Sequence, residues 1–392
     1  MVLRGWLEGH AVTLTLENGV LTVMFEDGGV LTLDQVGRLW TLYAEEHHFY
    51  RSLDGSVLAR WTDKDVQQRR RLWPTEADLV LLRASLSAQN LRDELALEAP
   101  PEVVLELDQV LGRAAAFDIG AARADIDHYQ RVYKPIGILP PDQRLALVLQ
   151  MTEGCPFNAC AFCARYKDRP FHVKSPQELR AHIADVRAYL GDSIHLCQGI
   201  FIADANALVA PQQQLVELFD LVGQEFGETQ IYTFQDGFSG QTKPADDYAA
   251  LAKRGLQRVY VGLDSGHDPL LAWLHKPGQA DDTIRAVQQI KAGGVDVGLV
   301  VMLGVGGQRY AEGHVRDTIS ALNDMGLGGD DLLCFVESTP FGALYTTPSG
   351  GPDPWLLTQS QMLAQREDIV AGLRFDGTVP QTTTCDVCEF IY

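Results

Sequence analysis

Positive charge and long apolar runs are both scarce in this sequence. Its 392 residues hold 32 Lys and Arg against 52 Asp and Glu, giving a formal net charge of −20 at pH 7. Phosphate backbones bind to basic surfaces, so this balance argues against a general nucleic-acid-binding protein. No apolar run reaches the roughly 20 residues of a membrane-spanning helix, and the amino terminus lacks the basic-then-apolar pattern of a secretion signal. We therefore expect a cytoplasmic protein without a membrane span.

Cysteine is also sparse, and it is unevenly placed. The chain has seven cysteines, an odd number, and a reducing compartment disfavours disulfides. Cys155, Cys160 and Cys163 lie within nine residues, and Cys385 and Cys388 are three positions apart. Clustered cysteines in such a protein are typically metal ligands or reactive thiols.

Residues 1–74 are predicted to form an N-terminal β-rich region, a small antiparallel meander. Apolar and polar residues alternate on both sides of Asn18-Gly19, and this dipeptide between alternating runs is the strongest short hairpin signal. In residues 75–143, apolar positions recur near helical spacing before a proline-rich stretch. This second region is predicted to be a helical connector with an extended lead-in.

Residues 144–345 alternate strand-like runs with helical patterns, which predicts parallel strands joined by right-handed crossovers. Six strands fit, so we predict an α/β fold, a partial (β/α)6 TIM-like barrel. Residues 346–392 would be a C-terminal extension that covers its open side or bottom. Active sites on such sheets lie at the carboxyl ends of the strands. The predicted strands are 145–150, 200–203, 230–234, 258–262, 297–303 and 332–336.

The cysteine triplet directly follows the first predicted strand. Soft thiolates in one loop select zinc, copper(I) or iron–sulfur clusters. A structural zinc site is closed and needs a fourth ligand, for which His172 or a distant cysteine is available. A four-iron cluster on three cysteines instead leaves one iron open to another ligand, and the position at a strand end favours this interpretation.

The segment Gly154-Cys-Pro-Phe-Asn-Ala-Cys-Ala-Phe-Cys163 resembles the signature loop of radical S-adenosylmethionine (radical SAM) enzymes. Four residues separate its first two cysteines, whereas the commonest spacing in that superfamily has three. This spacing resembles a subset with a Gly-Cys-Pro-aromatic-Asn loop. The resemblance extends over residues 144–345, and segments 204–208, 262–266 and 303–307 are similar to those of a bacterial subgroup without a known shared reaction.

The resemblance implies the cofactors and the chemistry. Cys155, Cys160 and Cys163 would hold a [4Fe–4S] cluster whose open iron binds SAM. An external one-electron reductant such as flavodoxin or ferredoxin would supply the electron that cleaves SAM. The resulting 5′-deoxyadenosyl radical would abstract hydrogen from a substrate carbon, in an oxygen-sensitive enzyme.

The resemblance also implies which strand ends contact SAM. Asp204 and Asn206 would contact the methionine amino group, although an Asp-x-Asn pattern is equally typical of a cap or turn. Asp236 or Ser239 would hydrogen-bond the ribose or the methionine carboxylate. Asp264 is the first choice for the ribose hydroxyls.

Five further residues are expected to bind the cofactor, namely Phe162, Ser265, Gly304, Gly306 and Arg309. The glycines would allow close backbone approach to adenine. A phosphate loop is the other interpretation of a glycine run, but no Lys-Ser or Lys-Thr follows it here. Arg309 would pair with a carboxylate of SAM or of the substrate, with a surface salt bridge as the alternative.

The sixth strand carries two candidate catalytic residues, Cys334 and Glu337. A buried cysteine is usually inert packing; the alternative is a hydrogen donor that quenches a substrate radical. Cys385 and Cys388 have the spacing of metal ligands and, with Cys197 and Cys334, would form a second metal site. The other interpretation is that this tail caps the barrel.

We therefore predict a radical SAM enzyme that acts on a small-molecule substrate. An enzyme that modifies a peptide or protein is the second choice, and tRNA is third because of the acidic charge. The competing hypothesis outside catalysis is a regulatory or structural module that binds zinc through the cysteine triplet.

Overall fold

A computed structural model describes residues 1–64, 66–238, 243–337, 355–375, 377–385 and 392 of the chain. The chain divides into two compact units. Of the described residues, 1–135, 184–197 and 392 belong to the first unit, and the others to the second. No helix in the described ranges combines the length and apolar character needed to cross a bilayer.

An antiparallel sheet forms the first unit. Its described strands are β1 (Val2–Leu7), β2 (His10–Glu17), β3 (Val20–Phe25), β4 (Val30–Leu33), β5 (Leu39–Ala44), β6 (His47–Arg51), β7 (Val57–Asp63), β8 (Val66–Arg71) and β9 (Leu95–Leu97). Strands β1 to β8 pair in chain order, and β9 pairs with the other edge of β1. Asn18 and Gly19 have φ angles of 49° and 74° in the turn between β2 and β3, as predicted for this dipeptide. The predicted N-terminal meander is confirmed.

Three helices pack on this sheet and enclose its core. They are α1 (Pro74–Glu94), α2 (Pro101–Ala116) and α3 (Ile119–Val132). Alternate residues of the strands, such as Leu14, are buried together with helix positions such as Leu91 and Leu111. Each leucine buried in this way contributes about 1.5–3 kcal/mol relative to an exposed one.

A buried charge network also lies in the first unit. Arg38 Nε donates to Asp125 Oδ1 at 2.8 Å and Arg38 Nη1 to Asp34 Oδ2 at 3.1 Å. Arg51 Nη2 donates to Asp125 Oδ2 at 3.0 Å. All four side chains are buried, so each charge depends on its partners within the network.

A parallel sheet forms the second unit. The described strands of this unit are β10 (Leu147–Gln150), β11 (Thr152–Glu153), β12 (His172–Val173), β13 (Ile200–Ala203), β14 (Ile231–Gln235), β15 (Leu256–Asp264), β16 (Asp296–Leu303), β17 (Leu332–Glu337) and β18 (Gln381–Cys385). The order is β10-β13-β14-β15-β16-β17-β18, with every neighbouring pair parallel. Strands β11 and β12 form a separate antiparallel pair.

Helices connect most of these parallel strands. They are α4 (Pro176–Leu190, of which 184–190 are counted with the first unit), α5 (Gln212–Phe226), α6 (Ala245–Ala252), α7 (Asp268–Trp273), α8 (Ala280–Ala292), α9 (Gly307–Asp324) and α10 (Gln359–Ala371). The α/β class and the six predicted strands are confirmed. The sheet is open between β10 and β18 as far as it is described, which is the expected partial barrel.

One sequence prediction needs correction. The six-strand count was too low, because β18 adds a seventh parallel strand beside β17 from the segment predicted only to cover the barrel. Helix α9 begins at Gly307, directly after Gly306, whose left-handed φ of 76° at the N-cap suits glycine.

Candidate active site

The cysteine triplet lies in one loop at the carboxyl end of β10. We call residues 154–171 the cysteine loop. The short pair β11–β12 closes its base, with Thr152 opposite Val173 and Glu153 opposite His172. Cys155, Cys160 and Cys163 are free thiols and each is partly exposed. The loop therefore presents three sulfur donors where a parallel sheet usually carries its active site.

Local hydrogen bonds shape the cysteine loop. The backbone N–H of Asn158 donates to Cys155 Sγ at 3.3 Å, and Asn158 Nδ2 donates to the Tyr166 carbonyl at 2.6 Å. Burial raises the pKa of Cys160 to about 12 and also raises the pKa of Cys155. Metal ligation requires the thiolate, so binding of a metal centre would release these protons.

The donor set fits a four-iron cluster. Among the residues that the structure describes, no three His, Cys, Asp or Glu side chains converge closely enough to ligate one metal ion. A four-iron cluster bonds each cysteine to a different iron, so its ligands surround a larger volume than one ion does. The three thiols lie in one loop and are partly exposed, with an N–H directed at Cys155 Sγ, and cysteine thiolates are the usual ligands of such clusters.

Asp204 lies beneath the cysteine loop and holds it to the sheet. Its Oδ2 accepts hydrogen bonds from the Gly154 N–H at 2.9 Å and from Arg169 Nη2 at 3.1 Å, and its Oδ1 accepts one from Gln150 Nε2 at 3.2 Å. The side chain is almost fully buried, and burial raises the pKa of Asp204 against the lowering effect of these bonds. Both carboxylate oxygens are thus engaged within the protein.

The ends of β13 and β14 bring two predicted residues together. Asn206 Nδ2 donates to Asp236 Oδ2 at 2.6 Å, and the Phe238 N–H donates to Asp236 Oδ1 at 3.2 Å. The Phe238 ring packs edge-on against the ring of Phe157 in the cysteine loop, with 5.6 Å between the ring centroids. This places the Asn206–Asp236 pair next to the cysteine loop. Ser239 lies outside the described residues.

The end of β15 carries a buried ion pair. Asp264 adopts a left-handed φ of 60°, and its Oδ2 accepts a hydrogen bond from Lys276 Nζ at 2.6 Å. The next residue, Ser265, is fully buried, and its Oγ contacts His314 Nδ1 at 2.8 Å and accepts from the His267 N–H at 3.0 Å. Ser265 therefore ties the strand end to α9, while Asp264 lies beside the cysteine loop.

Phe162, between two of the cysteines, packs on a small apolar cluster. The buried members of this cluster are Leu270, Leu274, Met302 and Val305, and Trp273 and Tyr310 pack against it as Phe162 does. Gly304, at the end of β16, has a φ of 73° and donates its N–H to Gln365 Oε1 at 2.8 Å. The cysteine loop and the glycine-rich turn at residues 304–307, which contains Val305, thus share one apolar layer.

A cavity of about 490 Å³ opens next to that layer. Its lining residues are Trp273, Gly306, Gly307, Arg309, Tyr310, Trp355 and Leu356. The exposed Arg309 guanidinium stacks over the Tyr310 ring, with 5.1 Å from its Cζ to the ring centroid. Arg309 forms no ion pair with any residue in the described part of the chain, so the alternative of a surface salt bridge is not seen there.

The remaining predicted residues lie on the last two strands. Cys334 is buried in the middle of β17, opposite Val300 of β16 and Thr383 of β18. Glu337 ends β17, opposite Leu303. The backbone of Cys385 ends β18, whereas its side chain and Cys388 lie outside the description, so the second metal site stays a prediction.

Sequence reasoning missed Arg169, Lys276 and His314. Each is a single polar residue without a periodic neighbour or ligand spacing, and such residues are mostly exposed in proteins. The available signal was indirect. A carboxylate buried at a strand end needs a cation or hydrogen-bond donors, and the predicted Asp204 and Asp264 have such partners here.

Comparison with known proteins extends this picture. The radical SAM superfamily model matches residues 149–322, and no curated protein matches the chain. Similar solved structures include the cobalamin-dependent S-adenosylmethionine radical enzyme OxsB, at 13% identity, TM-score 0.38, over 80% of this chain and 37% of that one. Coproporphyrinogen III oxidase (HemN) from Escherichia coli is 13% identical with a TM-score of 0.42, and the match covers 63% of this chain and 54% of that one. SuiB from Streptococcus suis is 10% identical with a TM-score of 0.41, and the match covers 88% of this chain and 72% of that one.

The chain therefore spans 37% of the length of OxsB and 54% of that of HemN. The span matched by the family model contains the cysteine loop and the ends of β10, β13, β14, β15 and β16. Residues 149–322, with the cysteine loop and these strand ends, thus match the radical SAM superfamily, whose enzymes start their chemistry from S-adenosylmethionine.

Proposed function

We propose that this enzyme holds a [4Fe–4S] cluster on Cys155, Cys160 and Cys163 and uses SAM to abstract hydrogen from a small-molecule substrate in the cytoplasm. The observation that carries the proposal is the loop of three partly exposed thiols at a parallel-strand end, inside the superfamily match. Membership of the superfamily implies the cluster, SAM and an external reductant. When bound, the reduced cluster supplies the electron that cleaves SAM to a 5′-deoxyadenosyl radical.

The protein's own residues position these groups. Three thiolates would bind three irons, and the Asn158 N–H would donate to the sulfur of Cys155 as it does here. Asp204 would keep the cysteine loop on the sheet through the Gly154 N–H. Asp264 Oδ1 accepts no hydrogen bond from a described residue, so it is open to a ribose hydroxyl while Lys276 holds Oδ2.

The cavity beside the apolar cluster supports a small substrate. Its volume of about 490 Å³ falls within the roughly 300–1,000 Å³ of small-molecule sites, which are mostly apolar with a few orienting polar groups. Here Trp273 and Tyr310 supply flat apolar walls and Arg309 supplies one cation. This combination suits a planar molecule with a carboxylate, which the guanidinium would bind.

Anaerobic reconstitution with iron and sulfide tests the cluster. We expect about four irons per chain in the wild-type protein and formation of 5′-deoxyadenosine and methionine from SAM after reduction. Cys160→Ala should abolish both. Met24→Ala changes an exposed residue of the first unit and should change neither. A colourless wild-type protein with one zinc, or SAM cleavage by Cys160→Ala, would overturn the proposal.

Deuterium transfer tests the substrate class. Deuterated small metabolites with and without a carboxylate are offered together with SAM, and deuterium in 5′-deoxyadenosine identifies a substrate. We expect transfer from a planar carboxylate, reduced at least tenfold by Arg309→Gln without loss of uncoupled SAM cleavage. Transfer from a deuterated peptide and from none of the small molecules would instead identify a peptide-modifying enzyme.

A further inference from the structure

Lys276 is a buried lysine whose ammonium group is fully engaged inside the protein. The side chain is 6% exposed. Its Nζ donates to the Gly262 carbonyl, to the Leu263 carbonyl at 3.2 Å and to Asp264 Oδ2 at 2.6 Å. A lysine has three N–H donors, so these three acceptors use all of them. The ammonium is thereby fixed in position at the end of β15.

The segment that carries Lys276 also contacts the cysteine loop. The Ala161 N–H, next to Cys160, donates to the Leu274 carbonyl at 2.9 Å. Leu274 lies two positions before Lys276, so the ion pair of Lys276 with Asp264 is attached to the residue next to Cys160. Two opposite charges of fixed position therefore act on the same sulfur.

A purely structural role would not require these charges. A buried ion pair is commonly no more stabilising than apolar side chains of the same volume. The reduction potential of an iron–sulfur cluster, in contrast, responds directly to nearby charge, because reduction adds an electron to the cluster. In a site of low dielectric constant a single charge has a large effect over a short distance.

We propose that Lys276 and Asp264 tune the reduction potential of the cluster through Cys160, with Lys276 raising the potential and Asp264 lowering it. Both are positioning residues for the cluster rather than ligands to it. The inference rests on the proposed function, since it requires a cluster on Cys160. The reduction potential of the cluster is then set partly by the charges at the end of β15.

Redox titration of the reconstituted full-length protein without SAM, followed by electron paramagnetic resonance, tests the proposal. Lys276→Met keeps the chain length and removes the charge, so we expect reduction to become at least tenfold less favourable, which is about 59 mV for one electron. Asp264→Asn should shift the potential in the opposite direction. Lys253→Met is the matched control, because Lys253 is exposed and precedes the other end of β15. The reduction potential of the cluster in this variant should equal that in the wild type.

The opposite signs separate an electrostatic role from a structural one. Disturbed packing would move both potentials in one direction, and equal or absent shifts in Lys276→Met and Asp264→Asn overturn the inference. If Lys276→Met does not fold, two other variants test the inference. Asp264→Asn must raise the reduction potential, and Lys276→Arg must keep the equilibrium constant for reduction within threefold of the wild-type value. A wild-type protein without a cluster would refute the proposed function instead, whereas a wild-type cluster with unshifted variants refutes this inference alone.

Discussion

Asp204→Asn tests how the cysteine loop is held to the sheet. The wild-type carboxylate accepts from three donors, on Gly154, Arg169 and Gln150. Asparagine offers a single acceptor oxygen, so at least one buried donor loses its acceptor, which costs about 1–3 kcal/mol. Arg169 also loses its buried charge partner, a change that can cost about 3–5 kcal/mol when nothing compensates.

Two features reduce the expected total. Arg169 retains a second partner, Asp168, at 2.8 Å, and the substitution removes a carboxylate whose burial raises the pKa and therefore disfavours its charged form. We expect the free energy of unfolding to fall by about 2–4 kcal/mol. The loss should be concentrated in the cysteine loop, with lower iron content after reconstitution.

Urea denaturation of the apo-protein measures the total loss, and hydrogen–deuterium exchange of residues 150–173 measures where it occurs. Asp168→Asn is the matched control, because Asp168 contacts the same arginine and is half exposed. It should cost less than about 1 kcal/mol and leave exchange in the loop unchanged. Equal effects of the two variants, or unchanged exchange in Asp204→Asn, would show that Asp204 does not hold the cysteine loop to the sheet.

Three further predictions concern stability. Burial lowers the pKa of His314 to about 4 from 6.5. Below pH 6.5 the unfolded chain takes up a proton that the folded protein does not, so the free energy of unfolding falls as the pH falls. We expect a loss of about 2 kcal/mol between pH 7 and pH 5 in urea titrations. Asp125→Asn should lower the free energy of unfolding by about 3–5 kcal/mol in the same assay, because Arg38 and Arg51 lose a shared buried partner. Gly307→Ala should lower the melting temperature, since its φ is 58° and a Cβ would lie 2.3 Å from the Trp355 carbonyl oxygen.

Each of these has a control within the chain. His314→Asn should lose the pH-dependent component, and an unchanged slope would assign it to other groups. Asp108→Asn breaks an exposed pair with Arg92 and should cost less than about 1 kcal/mol. Gly326→Ala has a similar φ of 66° with open space around the Cβ, so a melting temperature as low as that of Gly307→Ala would contradict the steric argument.

Most of the fold could be predicted because its signals are local. The six parallel strands are short apolar runs between turn residues, and β2 and β3 alternate around Asn18-Gly19. Strand β18 escaped prediction because Gln-Thr-Thr-Thr-Cys is not apolar. Threonine suits strands by its branched Cβ, but only the pairing with β17 reveals that this segment is one.

The site was predictable only where residues are close in sequence. Three cysteines within nine positions identify the loop, whereas the partners of Asp204 come from 35 and 54 positions away. Lys276 follows the strand end that it stabilises by twelve positions, with no spacing rule to connect it to Asp264. Such pairs depend on how the chain folds back on itself, and a single sequence does not encode that in any local pattern.

Strand β17 consists of the largely apolar Leu332–Glu337, and its outer edge is paired by β18, which follows only after α10. During synthesis on the ribosome, the backbone groups on this outer edge of β17 would stay unpaired until the segment containing β18 had emerged. An uncovered apolar strand edge is a template for pairing with another chain. Nascent copies of this enzyme on one polysome would therefore pass through a stage at which chaperones compete with aggregation for β17.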